Sequence, residues 1–99
     1  MKELSIVVYT MKNCPFCQEF KDMLVKEGIE FFDRDIEEYK DEYDIFVEVT
    51  NNDMIPSLLI IEGNENEHES FLYAPERNYD ELTEALDIIQ KHRKNVGLI

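Results

Sequence analysis

Apolar residues recur along the chain with two different spacings, and these spacings predict alternating strands and helices. The first apolar run, Leu4–Tyr9, is short, rich in β-branched residues and nearly continuous, which is typical of a strand covered on both faces. Further strands are predicted over Glu30–Asp35 and Ser57–Glu62. A polar turn at residues 63–67 then leads to a fourth strand near His68–Tyr73, which forms a hairpin with the third.

Helices are predicted where apolar residues recur at steps of three and four positions. The first helix follows the first strand and ends at Gly28, where a left-handed residue stops it. The second is predicted over Ile36–Thr50. The third lies near the end of the chain, with Asn78 as its N-cap, early acidic residues and late basic ones that complement the helix dipole. The order is βαβαββα, which predicts an α/β domain over residues 1–99 with a mixed four-stranded sheet flanked by helices.

Composition narrows the range of partners. With 99 residues and 43% apolar content, the chain can bury a core without cross-links or a metal. The excess of 23 acidic over 10 basic residues disfavours nucleic acid and anionic membranes, because both bind clustered basic side chains. No segment has the length and apolarity of a membrane span or a signal peptide, so we expect a cytoplasmic monomer. Acidic runs indicate solvated faces, with steering towards a basic partner protein as the alternative.

The cysteines form the motif Cys14-Pro15-Phe16-Cys17 between the first strand and the first helix. In a reducing compartment this spacing indicates a redox-active or metal-binding pair. Cys14 is predicted at the helix N-terminus, where free N–H groups and the nearby Lys12 favour a thiolate. Cys17 lies one turn later and is predicted to be partly buried. We therefore expect Cys14 to attack a substrate disulfide and Cys17 to resolve the mixed disulfide.

Two structural interpretations of the cysteine pair are less favourable. A structural disulfide across so short a loop restricts very little chain entropy. A structural zinc site needs four ligands, and the only candidates besides the cysteines, His68 and His92, lie 24 residues apart with neither paired at short spacing. Both histidines are predicted to face solvent. We therefore expect no metal and no tightly bound cofactor.

A second candidate site segment precedes the third strand. A proline at the start of a strand can leave the main chain of the preceding residue exposed, so Ile55-Pro56 could pair with an extended thiol peptide. The residues alone favour a trans peptide bond there. Tyr9 and Tyr73 at strand ends could line the same site, with a place in the core as the alternative.

The sequence resembles the glutaredoxin family of the thioredoxin superfamily. The resemblance rests on residues 9–17, which read Tyr-Thr-Met-Lys-Asn-Cys-Pro-Phe-Cys, and on Met-Ile-Pro at residues 54–56 before a strand. It implies a thioredoxin-like fold and thiol-disulfide oxidoreductase activity, with Cys14 as nucleophile and Cys17 as resolving thiol. It also implies a cis bond before Pro56 and pairing of the Ile55 main chain with the cysteine of glutathione.

Two stretches depart from the pattern of that family. Its members usually have Lys or Arg three residues before the nucleophile, where it meets a glutathione carboxylate, whereas this chain has Met11 followed by Lys12. They usually have Gly-Gly, a small residue and Asp before the last helix, whereas residues 77–80 read Arg-Asn-Tyr-Asp. Lys12 and Arg77 are the candidate replacement cations. The candidate substrate-binding residues are Tyr9, Lys12, Pro15, Phe16, Ile55, Pro56, Arg77 and Asp80.

Three functions follow as hypotheses. The first is a glutaredoxin-like oxidoreductase that reduces disulfide-containing proteins or glutathione mixed disulfides, with glutathione as a possible co-substrate. In the second, a thioredoxin-reductase-type flavoprotein recharges the dithiol, which then donates electrons to a protein such as ribonucleotide reductase. The departures from the family pattern at Met11 and at residues 77–78 motivate this second hypothesis. The third is a non-catalytic carrier that binds an iron-sulfur cluster or a thiol. Pro15 disfavours the iron-sulfur cluster, because cluster-binding relatives more often lack a proline at this position.

Overall fold

The computed structural model describes residues 2–99 and has the predicted order of strands and helices. The elements in chain order are β1 (Glu3–Thr10), α1 (Pro15–Lys26), β2 (Phe32–Asp35), α2 (Lys40–Thr50), β3 (Ser57–Gly63), β4 (His68–Tyr73) and α3 (Leu82–Asn95). None of the helices in residues 2–99 combines the length and apolarity needed to traverse a lipid bilayer.

The strands form one mixed sheet in the order β2-β1-β3-β4. β1 pairs in parallel with β2 and antiparallel with β3, and β3 forms an antiparallel hairpin with β4. β1 is thus an inner strand, and its last five residues are all buried. This confirms the prediction from its nearly continuous apolar run, because an inner strand covered on both faces has no solvent side.

Each face of the sheet has its own apolar core. Ile6 and Val8 of β1 lie in the core under α1 and α3, together with Phe20, Leu24 and Ile89. The alternate β1 residues Val7 and Tyr9 lie in the core under α2, with Tyr43, Phe46 and Ala74. The alternation follows from the two-residue repeat of a strand, which sends successive side chains to opposite faces.

The predicted end of α1 is confirmed, whereas the predicted starts of α2 and α3 are wrong. Gly28 follows α1 with a φ of 69°, the left-handed stop that was predicted. α2 begins at Lys40 rather than at Ile36, because the Asp35 carboxylate accepts a hydrogen bond from the Glu37 N–H and holds the chain in turns.

The N-cap predicted for α3 was also wrong. Glu81 caps the helix through a capping box with Glu84, whereas the Asn78 side chain accepts a hydrogen bond from the Ala74 N–H. Asn78 therefore shapes the loop before the helix and does not begin the helix.

The prediction that His92 faces solvent was wrong. Its side chain is buried, with Nδ1 2.6 Å from a Glu62 carboxylate oxygen and Nε2 2.7 Å from the Tyr73 hydroxyl. His92 lies three residues after Ile89 on the face of α3 that packs on the sheet. Tyr73 is thus on the α3 side of the sheet and Tyr9 on the α2 side, so these tyrosines do not line one site.

Hydrogen bonds to Glu42 fasten α2 to the sheet. The Tyr9 hydroxyl donates to one carboxylate oxygen of Glu42 and Arg34 donates to the other, both at 2.5 Å. Partial burial raises the pKa of the Glu42 carboxyl, but the two donors outweigh it and hold this pKa below its ordinary value. Burial, together with the hydrogen bond to Glu42, raises the pKa of the Tyr9 hydroxyl.

We expect Glu42→Gln to lower the free energy of unfolding at neutral pH by about 1 kcal/mol, because the amide lacks the charge that strengthens both hydrogen bonds. The depressed pKa of Glu42 makes its contribution present above the ordinary value of 4.5 and lost as the pH falls through the folded value. Urea denaturation from neutral pH down to about pH 3 measures this difference. Glu38→Gln is the control, since Glu38 is exposed and lacks such donors in residues 2–99. A difference that persists undiminished in acid would contradict this account.

Candidate active site

The turn after β1 places Cys14 at the N-terminus of α1. Asn13 adopts a φ of 60°, a left-handed conformation that asparagine tolerates better than most residues. Cys14 is then extended and acts as the N-cap, and its Sγ accepts a hydrogen bond from the Cys17 N–H at 3.2 Å. Pro15 occupies the first helical turn, where a missing N–H is harmless. The sulfur therefore lies where the helix dipole and a main-chain donor both favour negative charge.

The two sulfurs differ in their access to solvent. Cys14 and Cys17 form a disulfide with Cα atoms 5.2 Å apart. Cys14 is half-buried, whereas Cys17 is only 1% exposed and is therefore more completely buried than predicted. Cys17 shares its helix face with Phe20 and Leu24, both buried in the core. An external disulfide can reach Cys14 but not Cys17, which is the asymmetry that a nucleophile and a resolving thiol require.

The loop before β3 lies beside the dithiol because of the register of the sheet. Tyr9 near the end of β1 pairs with Ser57 at the start of β3, so the segments beyond them leave the sheet side by side. The Ile55–Pro56 peptide bond is cis, as the family resemblance implied. The main chain of Ile55 lies outside the strand ladder and has no hydrogen-bond partner in residues 2–99.

Two side chains that the sequence analysis missed hold this loop against the segment before α3. The Tyr79 hydroxyl donates a hydrogen bond to the Pro56 carbonyl, and burial raises the pKa of that hydroxyl, so it remains a donor. Asn52 donates to the Pro75 carbonyl at 2.7 Å and accepts from the Met54 N–H at 2.8 Å. The sequence contained one sign of the Tyr79 contact, because Tyr79 is a large aromatic residue in a stretch where the resemblance implies small residues.

A groove of about 630 Å³ runs between α1, the Ile55-Pro56 loop and residues 75–83. Its lining includes the exposed apolar side chains Phe16 and Met54. Its charged lining residues are Glu19, Glu76, Asp80 and Glu81, and no Lys or Arg of the described chain lines it. The groove is therefore apolar with an acidic rim.

A smaller depression of about 460 Å³ lies on the Cys14 side of the helix end. Lys12 and Lys21 line it together with both cysteines. Lys21 is paired with the Asp33 carboxylate at 2.9 Å, whereas Lys12 forms no ion pair within residues 2–99. Among the basic residues that line this depression, Lys12 is therefore the one left unpaired within residues 2–99.

Six of the eight predicted substrate-binding residues line the groove or the smaller depression, but Tyr9 and Arg77 do not. Tyr9 is 1% exposed in the core under α2, so its ring is not available to a substrate. Arg77 donates to the Leu72 carbonyl and the Asn78 side chain, both at 3.0 Å, and does not line the groove. The predicted pair of replacement cations is thus reduced to Lys12.

The remaining candidates divide between the two depressions. Pro15 and Lys12 line the smaller one, and Phe16, Ile55, Pro56 and Asp80 line the groove. Among residues 2–99, no three His, Cys, Asp or Glu side chains are grouped so as to hold a metal ion.

Comparison with known proteins shows the family. The family described as Glutaredoxin matches residues 6–64, which is more than half of the chain. The chain belongs to the glutaredoxin family. No curated protein matches the sequence.

The solved structure of the thioredoxin of Trichomonas vaginalis is similar to this glutaredoxin-family protein, with a TM-score of 0.56 and 17% identity. The similarity covers 90% of this chain and 78% of the thioredoxin. At this identity the likeness is one of fold, and it confirms the predicted thioredoxin-like α/β architecture.

The family match covers only part of the groove. Residues 6–64 include the dithiol and the Ile55-Pro56 loop, but the wall formed by residues 75–83 lies outside the match. Three of the four acidic lining residues, Glu76, Asp80 and Glu81, therefore lie outside the residues that match the family.

We expect Lys12→Ala to slow alkylation of Cys14 in the reduced protein by about threefold near neutral pH, because the nearest unpaired cation favours the thiolate. Iodoacetamide labelling of the reduced protein at low ionic strength measures this rate. The control is Lys26→Ala, which makes the same charge change at the far end of α1. Equal effects of the two substitutions would show that Lys12 acts only through net charge.

Proposed function

We propose that this glutaredoxin-family protein is a dithiol oxidoreductase that reduces disulfides of other proteins and of small thiols. The observation that carries the proposal is the asymmetry of the dithiol: Cys14 is accessible and accepts a main-chain hydrogen bond, and Cys17 is buried behind it. No tightly bound cofactor is needed, because the two thiols themselves carry the electron pair.

In the first step, the Cys14 thiolate attacks one sulfur of the substrate disulfide. A Cys14–substrate bond forms, the substrate disulfide breaks, and the other substrate sulfur leaves as a thiolate. In the second step, the Cys17 thiolate attacks the Cys14 sulfur, which forms the internal disulfide and releases the second substrate thiolate. Two electrons pass from the dithiol to the substrate, and the protons of the two cysteine thiols end on the two substrate thiols. The Cys17 N–H stabilises negative charge on Cys14 before the attack.

We expect Cys14→Ser to reduce the rate of disulfide reduction by more than about a hundredfold, because a serine hydroxyl does not replace the thiolate nucleophile. Cys17→Ser retains the first step and accumulates a mixed disulfide through Cys14. Mass spectrometry after reaction with a peptide disulfide identifies the adduct and its position. A stable adduct on Cys17 in the Cys14→Ser protein, formed at the wild-type rate, would reverse the assigned roles.

The acidic groove favours a particular electron donor. Glutathione carries two carboxylates and one ammonium, and only Lys12 offers an unpaired cation among the residues lining the two depressions. A flavoprotein reductase of the thioredoxin-reductase type delivers electrons through its own thiols and needs no carboxylate clamp on this protein. We propose that such a reductase, rather than glutathione, recharges the disulfide in the cytoplasm.

Coupled assays with the same disulfide substrate compare the two donors. We expect turnover with NADPH and a thioredoxin reductase to exceed turnover with glutathione and glutathione reductase by about tenfold or more, because glutathione meets four carboxylates along the groove. A glutaredoxin with an established glutathione site serves as the control for the second assay. Equal or faster turnover with glutathione would contradict the proposal that a flavoprotein reductase is the electron donor, without contradicting the dithiol mechanism.

A further inference from the structure

The groove beside the dithiol has a charge pattern that bears on its substrate. Exposed apolar side chains, Phe16 at 65% and Met54 at 40%, lie in its wall. Carboxylates come from two directions, with Glu19 on α1 and Glu76 and Asp80 on the segment before α3. A ligand that complements this surface carries apolar side chains and positive charges.

The carboxylates of the groove are free to act on a ligand. The carboxylates of Glu19, Glu76 and Asp80 take part in none of the ion pairs or hydrogen bonds formed within residues 2–99, whereas the Glu81 carboxylate is used in the α3 capping box. Acidic groups that share a groove repel one another, and a cationic ligand relieves this repulsion while an anionic one adds to it. The groove therefore discriminates between ligands by the sign of their charge.

The neighbouring main chain indicates the shape of the ligand. The Ile55 N–H and C=O have no partner in residues 2–99 and lie outside the β1–β3 ladder. An extended segment can form main-chain hydrogen bonds at such a position. Phe16, two residues after Cys14, and Ile55 both line the groove, so a segment with its cysteine at Cys14 and its main chain at Ile55 would continue into the groove.

We propose that this protein selects disulfides in extended, positively charged protein segments, in which Lys or Arg close to the cysteine pairs with Glu19, Glu76 and Asp80. The inference rests on the proposed dithiol function and names its substrate class. The chemistry is the exchange given above, with two electrons passing to the substrate disulfide. The net charge of −13 draws cationic partners to the whole molecule, and the groove directs their charge to the dithiol.

The test uses the full-length reduced protein and three peptides that differ only beside the cysteine, where they carry Lys, Glu or Gln. Each cysteine is joined to thionitrobenzoate, whose release reports reaction of the dithiol with the peptide disulfide. We expect the Lys peptide to react about tenfold faster than the Glu peptide at low ionic strength, with the ratio falling as salt is added.

Charge-neutral variants locate the source of this preference. In the triple variant Glu19→Gln, Glu76→Gln and Asp80→Asn, we expect the ratio of Lys-peptide to Glu-peptide rates to fall to about twofold. The matched control is Glu65→Gln, Glu67→Gln and Glu69→Gln, which changes the net charge equally around the β3–β4 hairpin, where all three side chains are exposed. This control retains most of the preference. The single variants Glu19→Gln and Asp80→Asn each lower the ratio in part.

The outcomes separate this inference from the function on which it rests. Equal rates for the three peptides with wild-type protein, or an equal loss of preference in both triple variants, would overturn the role of the groove and leave the dithiol function standing. Failure to react with any peptide, the Gln peptide included, above the Cys14→Ser background would overturn the proposed function and this inference together.

Discussion

The antiparallel pairing of β1 with β3 is the constraint on which the rest of the structure depends. Because Tyr9 pairs with Ser57, the segment that follows β1 and the segment that precedes β3 lie side by side at the same end of the sheet. The first of these segments carries Cys14 and the second carries Ile55-Pro56. A shift of this register by one residue would turn every side chain of the strand to the opposite face and disrupt both cores. The apolar cores therefore maintain the geometry of the dithiol site as well as the stability of the fold.

The different roles of the two sulfurs follow from helix geometry. Cys17, Phe20 and Leu24 recur at steps of three and four residues, so packing of α1 on the sheet buries all of them together. Cys14 precedes the first helical turn, where the chain is extended and the side chain can reach the free N–H of Cys17. Packing of this α1 face on the sheet thus buries the Cys17 sulfur, and the Cys14 sulfur, which precedes the helix, stays partly accessible to solvent.

Local patterns predicted the order of elements and the dithiol, because alternation, periodicity and the Cys14-Pro15-Phe16-Cys17 spacing are properties of short segments. Contacts between distant segments were not predictable in this way. His92 is buried because Glu62 and Tyr73, from two other elements, supply partners for both ring nitrogens. The Arg77 guanidinium donates to the Leu72 carbonyl and to the Asn78 side-chain oxygen. Its charge therefore does not line the groove. The acidic groove itself depends on side chains far apart in sequence.

The net negative charge of the protein disfavours a thiolate, but the groups closest to the Cys14 sulfur favour one. The Cys17 N–H lies 3.2 Å from the Cys14 sulfur, and Lys12 lines the same small depression. The strength of a charge interaction falls with separation, and salt screens exposed charges beyond about 8 to 10 Å. Most of the surface carboxylates therefore act weakly on Cys14, while the donor in contact with it acts strongly.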